Sequence, residues 1–173
     1  RSGLLMSFGI VPTAPETGYG YLQAGTTLAS GARRVHAFIE KPDRARAERL
    51  LASGEWLWNS GMFLFRCSSL LCELSELAPQ VHAAAERAES QAVRADGIVR
   101  LDAAAYAESP DISIDHALME RTAQAAVVPL DAGWSDIGSW SSVWETARHD
   151  ADGNATRGDV LLEDCRDCHV HAG

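Results

Sequence analysis

Apolar and polar positions follow two rhythms along this 173-residue chain. Residues 4–11 are close to continuously apolar and predict a buried strand. Residues 12–18 carry Pro12, Pro15 and Gly18 and predict a structured loop. Strand patterns resume at 19–24 and 33–40, with a turn region between them. Within the latter, positions 35–39 alternate as on a half-buried strand, and Pro42 stops it. A helical rhythm follows. Asp43 caps a helix to about residue 53, with Ala45, Leu50 and Leu51 inward and arginines outward, and Gly54 ends it. A strand is expected at 61–65. A helix starting at Ser68 or Ser69 reaches Leu77, stopped by Pro79. An alanine-rich helix then runs to about residue 95. Short helices are expected after Ala103 and over 113–121, the second opened by Ser113. Residues 125–129 predict a strand, 132–140 a loop, and Ser139 caps a helix ending near Arg148. After Asp150 the composition changes. Residues 151–159 predict a linker, and 160–170 alternate as a strand of something new. Strands alternating with helices imply a layered α/β fold. The chain divides into 1–150 and a 151–173 linker with the start of a C-terminal β region.

Composition narrows the class. Hydrophobic residues make up 46% and charged residues 23%, ordinary for a globular domain. A formal net charge of -9, with no basic cluster beyond Arg33-Arg34, argues against nucleic-acid partners. No apolar run approaches the roughly 20 residues of a membrane span. No signal peptide is apparent, so a cytoplasmic protein without membrane partners is expected. The sequence opens mid-pattern without methionine, which is expected of a fragment. Its first strand would then be an unpaired, association-prone edge.

Four cysteines fall in two pairs. Cys67 and Cys72 lie in an apolar helical segment and are expected to pack as small hydrophobes. Cys165, Cys168 and His169 form C-x-x-C-H, the spacing of a haem attachment or of half a zinc site. No second ligand pair follows, and an alternating strand is the preferred reading. Trp56 and Trp140 are expected in the core. The histidines receive no role.

Lys41 stands out because the 15 basic residues comprise 14 arginines and this lysine. A lysine is a compact point charge where arginine is a planar fork, which suits a phosphate oxygen at the end of a narrow pocket. Glu40 and Lys41 also end a strand, where open α/β sheets place their ligands.

Five stretches together carry a resemblance. F-G-I-V-P-T-A-P-E-T-G-Y-G-Y, F-I-E-K-P, W-N-S-G-M-F-L-F, S-I-D-H-A-L-M-E-R-T and V-V-P-L-D-A-G-W-S-D-I-G-S-W occur in this order. In that order and spacing the chain resembles the mannose-1-phosphate guanylyltransferases, a branch of the sugar-nucleotide pyrophosphorylases. The resemblance covers residues 4 to about 159. It implies a mixed, mostly parallel sheet flanked by helices, a Rossmann-like nucleotide-diphospho-sugar transferase fold. It implies transfer of GMP from GTP to mannose 1-phosphate, giving GDP-mannose and pyrophosphate with Mg2+, in the supply of polysaccharide precursors. A homo-oligomer is compatible with it. By the same resemblance, Tyr19 and the Gly20 backbone border the sugar, and Glu40 accepts from sugar hydroxyls. Asn59 adds a polar contact, Lys41 holds the phosphate, and Asp136 binds the metal. Lys41 and Asp136 are then the catalytic pair. The family's glycine-rich basic loop for the GTP phosphates, and its early aspartate, do not occur in this sequence. The chain alone is therefore expected to be inactive. Other sugar-1-phosphate nucleotidylyltransferases, using UTP or dTTP with glucose 1-phosphate, and a non-catalytic sugar-phosphate-binding fragment remain alternatives.

Overall fold

A computed structural model of the chain describes residues 3–173. In chain order its elements are β1 (Leu5–Ile10), β2 (Tyr21–Thr27), β3 (Arg33–Ile39), α1 (Arg44–Ser53), β4 (Trp56–Leu64), α2 (Cys67–Leu77) and α3 (Pro79–Ser90). Next come β5 (Val93–Ala95), β6 (Ile98–Arg100), α4 (Ala103–Ala107), a π-turn (Asp115–Met119) and β7 (Ala125–Leu130). The chain ends with α5 (Trp140–Glu145), β8 (Ala155–Arg157) and β9 (His169–His171). Two compact units result, residues 1–132 and 133–173. The composition change after Asp150 lies inside the second of them.

The first unit is built on five strands in the order β1-β4-β2-β3-β7, closed where β7 returns to β1. Only β1 and β7 run parallel in this sheet; β1–β4, β2–β4, β2–β3 and β3–β7 are antiparallel. The expected mostly parallel sheet is thus corrected to a mixed, mainly antiparallel one. The cause is connection length. Parallel neighbours need a long crossover, whereas β2 and β3 are joined by a tight turn in which Leu28 N donates to Ala32 O at 2.7 Å. The open apolar edge expected at β1 is absent as well, because β1 is paired on both sides, by β4 and by β7.

Packing follows the apolar pattern. Leu5, Leu118, Met119 and Ala125 form a buried cluster, with Val35, Phe38, Phe63, Leu70, Leu74 and Leu77 against it. Residues 70, 74 and 77 share one helical face, so α2 turns its leucines inward. Cys67 and Cys72 fall elsewhere on that helix and are exposed thiols, not the buried hydrophobes expected. Gly9 marks where β1 meets its neighbours most closely. A Cβ there would lie 2.7 Å from Leu57 Cδ1 and 2.7 Å from Val127 Cγ2, so only glycine fits.

The expected α1 forms as the capping rules dictate. The Asp43 carboxylate accepts from Arg46 N at 2.7 Å, and Gly54 closes the helix in the left-handed region at φ 68. Its buried residues are Ala47 and Leu50, while Ala45 faces solvent. The alanine-rich helix ends at Ser90, earlier than expected. A β5–β6 hairpin follows, turned by Asp96 and Gly97 at φ 53 and 74, the D-G signature of a tight hairpin.

In the second unit the predicted linker is ordered. Asn154, 4% exposed, accepts from Cys168 N at 3.1 Å and donates to Cys165 O at 3.0 Å. This ties β8 beside β9 in a short parallel pair. The strand expected over 160–170 is reduced to His169–His171. Trp140 is 81% exposed, so it is not a core residue. No helix among the described residues is long and apolar enough to cross a membrane.

Candidate functional site

The strand ends β2 and β3, together with the middle of β4, bring three predicted residues together. Tyr21 pairs with Ile39 across one side and with Trp58 across the other. The residues adjoining those positions, Gly20, Glu40 and Asn59, therefore become neighbours. Asn59 N donates to Gly20 O at 2.7 Å. A Cβ built on Gly20 would lie 2.6 Å from Glu40 Oε2, 3.2 Å from Phe38 Cζ and 3.3 Å from Asn59 Cβ. Without a side chain here, the Glu40 carboxylate and the stem of Asn59 both close in on the bare backbone of Gly20. Tyr19 meets Trp58 edge to face, ring centroids 5.2 Å apart. The preceding loop is anchored by Tyr21, whose hydroxyl donates to Glu16 O at 2.8 Å; burial pushes that phenol above its usual pKa.

Lys41 sits beside this group but not inside a pocket. Its Nζ lies 3.3 Å from Glu40 Oε1, and its side chain is 64% exposed against 13% for Glu40. Its backbone is in the left-handed region at φ 43, which points the chain sharply away after the strand. The narrow pocket expected for this lysine is not seen. The charge is nonetheless held at the mouth of the Glu40 carboxylate.

Asn59 is 8% exposed, and its amide is held from several sides. Ser7 Oγ donates to its Oδ1 at 2.9 Å, and Gly61 N donates to the same oxygen at 3.4 Å. Its Nδ2 donates to Asp115 Oδ1 at 2.9 Å. Asp115 opens the π-turn, where Glu120 N donates to Asp115 O at 2.9 Å. Wide turns of this kind recur at functional sites. Beside it, His116 Nδ1 lies 3.1 Å from Glu120 Oε2. The hydrogen bond and charge of Glu120 raise the imidazole pKa, with Glu40 and Asp115 adding to the effect. Ser7 and Asp115 are not singled out by the sequence pattern. Asp115 lies within the S-I-D-H stretch, where Ser113 reads as a helix cap. Ser7 has no sequence signal beyond being a polar residue in an apolar strand.

Asp136 belongs to the second unit. Its Oδ1 accepts from Gly138 N at 3.1 Å, and a Cβ on Gly138 would fall 2.7 Å from its Oδ2. Between them Ile137 takes φ 50, a conformation a β-branched side chain rarely adopts. Ser135 Oγ accepts from Ile137 N at 3.3 Å. The loop thus carries its carboxylate on a strained turn. Among the described residues no group of three or more His, Cys, Asp or Glu is arranged to hold a metal ion. One carboxylate agrees with the habit of magnesium, which usually takes one or two and completes its shell with water and phosphate oxygens.

A mixed sheet packed with helices thus brings a glycine and a carboxylate at two strand ends next to an amide from the middle of β4. The sequence matches the family described as Nucleotidyl transferase over residues 1–153, and the chain belongs to that family. It is 52% identical over 171 residues to the Xanthan biosynthesis protein XanB of Xanthomonas campestris pv. campestris, matching 99% of this chain and 36% of that protein. It is 48% identical to the Mannose-1-phosphate guanylyltransferase of Salmonella montevideo, over 99% of this chain and 38% of that protein. It is 47% identical to the Alginate biosynthesis protein AlgA of Pseudomonas aeruginosa, over 99% and 36%. The chain therefore spans little more than a third of the length of these relatives. Among solved structures, it superposes on a mannose-1-phosphate geranyltransferase from Thermus thermophilus with a TM-score of 0.82. That match has 29% identity and covers 99% of this chain and 49% of that one.

Proposed function

We propose that this chain forms the sugar-phosphate-binding part of a mannose-1-phosphate guanylyltransferase. The observation that carries the reading is the meeting of Glu40 and Asn59 over the bare backbone of Gly20. In the reaction, a phosphate oxygen of mannose 1-phosphate attacks the α-phosphorus of GTP. A new P–O bond forms, the bond from that phosphorus to the β-phosphate oxygen breaks, and pyrophosphate leaves. Such transfers depend on positioning and charge neutralisation more than on covalent help. Glu40 accepts from the sugar hydroxyls, and the Asn59 amide donates to another. Tyr19 and the Gly20 backbone border the ring. Lys41 Nζ leaves Glu40 partly and neutralises the sugar phosphate. Asp136 would hold the divalent ion, proposed as Mg2+, which when bound supplies charge for the phosphate oxygens. Relatives named for mannose-1-phosphate guanylyltransferase activity and for xanthan and alginate biosynthesis support the reading. The protein is taken to act in the cytoplasm.

The test is product analysis of a full-length chain carrying this sequence. GDP-mannose and pyrophosphate from GTP and mannose 1-phosphate are expected. Turnover confined to UTP or dTTP with glucose 1-phosphate would move the protein to another branch. Binding of sugar phosphate without any turnover would make it a binding protein.

A further inference from the structure

The Asn59 amide is gripped more firmly than a simple sugar contact requires. An asparagine amide offers two acceptor lone pairs and two N–H donors. Its Oδ1 takes the Ser7 hydroxyl at 2.9 Å and the Gly61 N–H at 3.4 Å. One Nδ2 N–H goes to the Asp115 carboxylate at 2.9 Å. An ionised carboxylate only accepts, so the amide must turn its NH2 towards Asp115. A backbone N–H only donates, so the oxygen must turn towards Gly61. Both ends therefore specify the same one of the two amide orientations. The clamp is itself fixed. Ser7 is fully buried on β1, and Asp115 precedes Ala117, Leu118 and Met119, all buried in the core.

We infer that Asp115 and Ser7 are positioning residues that set the orientation of Asn59, so that its second Nδ2 N–H faces the sugar. The inference rests on the proposed sugar-phosphate reading. Neither residue touches substrate. Asp115 acts by deciding whether Asn59 presents a donor or an acceptor to a sugar hydroxyl, and Ser7, whose hydroxyl can donate or accept, holds the amide in place. Without Asp115 only the long 3.4 Å contact from Gly61 N still distinguishes the two orientations, and a fraction of molecules presents the wrong atom.

The experiment compares wild type, Asp115→Ala, Asp115→Asn and Ser7→Ala in a full-length chain. It measures kcat, separate KM values for mannose 1-phosphate and GTP, and the melting temperature. Asp115→Ala should raise the mannose 1-phosphate KM about tenfold, the scale of one well-placed hydrogen bond. The GTP KM and kcat should hold within about twofold on the same scale. Asp115→Asn keeps an acceptor oxygen within reach of Nδ2 and should recover most of the loss. Ser7→Ala should raise the same KM in the same direction. Equal changes in both KM values, or a lowered melting temperature with the sugar-phosphate KM unchanged, would overturn the inference. So would an Asp115→Asn variant as impaired as Asp115→Ala. If Asp115→Ala does not fold, Asp115→Asn and Ser7→Ala decide. Wild type that turns over while the variants match it defeats this inference alone; wild type with no turnover defeats the proposed function and this role with it.

Discussion

Asn59 and Asp136 lie in similar settings in the sequence, W-N-S-G and G-W-S-D-I-G, yet the fold treats them oppositely. Asn59 is buried in a sheet strand and held by β1, its own strand and the π-turn. Asp136 lies in a loop, where its carboxylate accepts from the backbone two residues along. The first arrangement uses long-range polar contacts to fix one geometry of the amide. The second relies on local backbone strain at Ile137 to shape the turn that carries the charge. Changes near Asn59 should therefore mix affinity with stability. Changes at Asp136 should act first on the charge that this turn carries.

The largest expected effect tests the second half of that contrast. Asp136→Asn keeps the shape and the acceptor for Gly138 N but removes the charge. Activity of the full-length enzyme should fall by at least about a hundredfold, the scale of losing one group that stabilises transferring charge. An unchanged rate with unchanged Mg2+ dependence would remove Asp136 from the metal site.

Lys41 comes next. Lys41→Ala should raise the mannose 1-phosphate KM about tenfold and leave the GTP KM close to wild type, a charge-assisted contact discounted for exposure. Because the side chain is 64% exposed, the loss should shrink as salt rises. Lys41→Arg should rescue only part, since a planar fork does not reproduce a point charge beside Glu40. Equal losses for both substrates would make Lys41 a general electrostatic residue. Full activity of the arginine variant would make its singularity compositional.

Gly20→Ala sharpens the first half. The new Cβ would meet Glu40 Oε2 at 2.6 Å, and that atom ends a flexible side chain, so the carboxylate should yield while the backbone stays. The contacts to Phe38 and Asn59 are merely tight. Stability should drop by about 1 kcal/mol, as for modest overpacking. Sugar-phosphate binding should suffer more than the melt suggests. A variant with wild-type affinity would show that Glu40 need not stand where it does.

Much of this contrast is legible in the sequence, and the illegible part has a physical pattern. Asp43, Gly54 and the β1, β3 and β7 strands are readable because each is fixed by local chemistry or by its own apolar period. Gly20 and Asn59 emerge through resemblance and Glu40 already through its place at a strand end, but their convergence depends on strand register, which no local signal encodes. Ser7 and Asp115 escape for the same reason: their partner lies 52 and 56 residues away along the chain. Strand direction is misjudged because alternating strands and helices suggest crossovers, while the chain in fact folds back through a hairpin. Trp140 and the exposed cysteines of α2 show the limit of reading apolar residues as core. Position on a helix decides exposure, and the 3.6-residue period is a finer test than residue type.

The smallest expected effects separate the two units by pH. The raised His116 pKa means the folded state favours the imidazolium, through Glu120 first and through Glu40 and Asp115 beyond it. That stabilisation is complete below the unfolded imidazole pKa of about 6.5 and is lost as pH rises through the raised folded value. Asp150 in the second unit behaves oppositely. Hydrogen bonds from Asn154 and Asp152 hold its carboxyl below the usual carboxylate value. Its contribution is present above the unfolded pKa of about 3.9 and is lost as pH falls through the lowered folded value. Both groups are exposed to solvent, so each shift in melting temperature should be small. Glu120→Gln should lower the melt only on the acid side of neutrality and bring the His116 titration, followed by NMR, back towards its ordinary midpoint. Asp150→Asn should lower the melt at neutral pH and match wild type in strong acid, where the wild-type carboxyl is itself protonated. A His116 midpoint unchanged by Glu120→Gln would mean that the ring is not held by that carboxylate. An Asp150→Asn deficit that persists in strong acid would mean that hydrogen-bond geometry, not charge, secures the 150–154 turn.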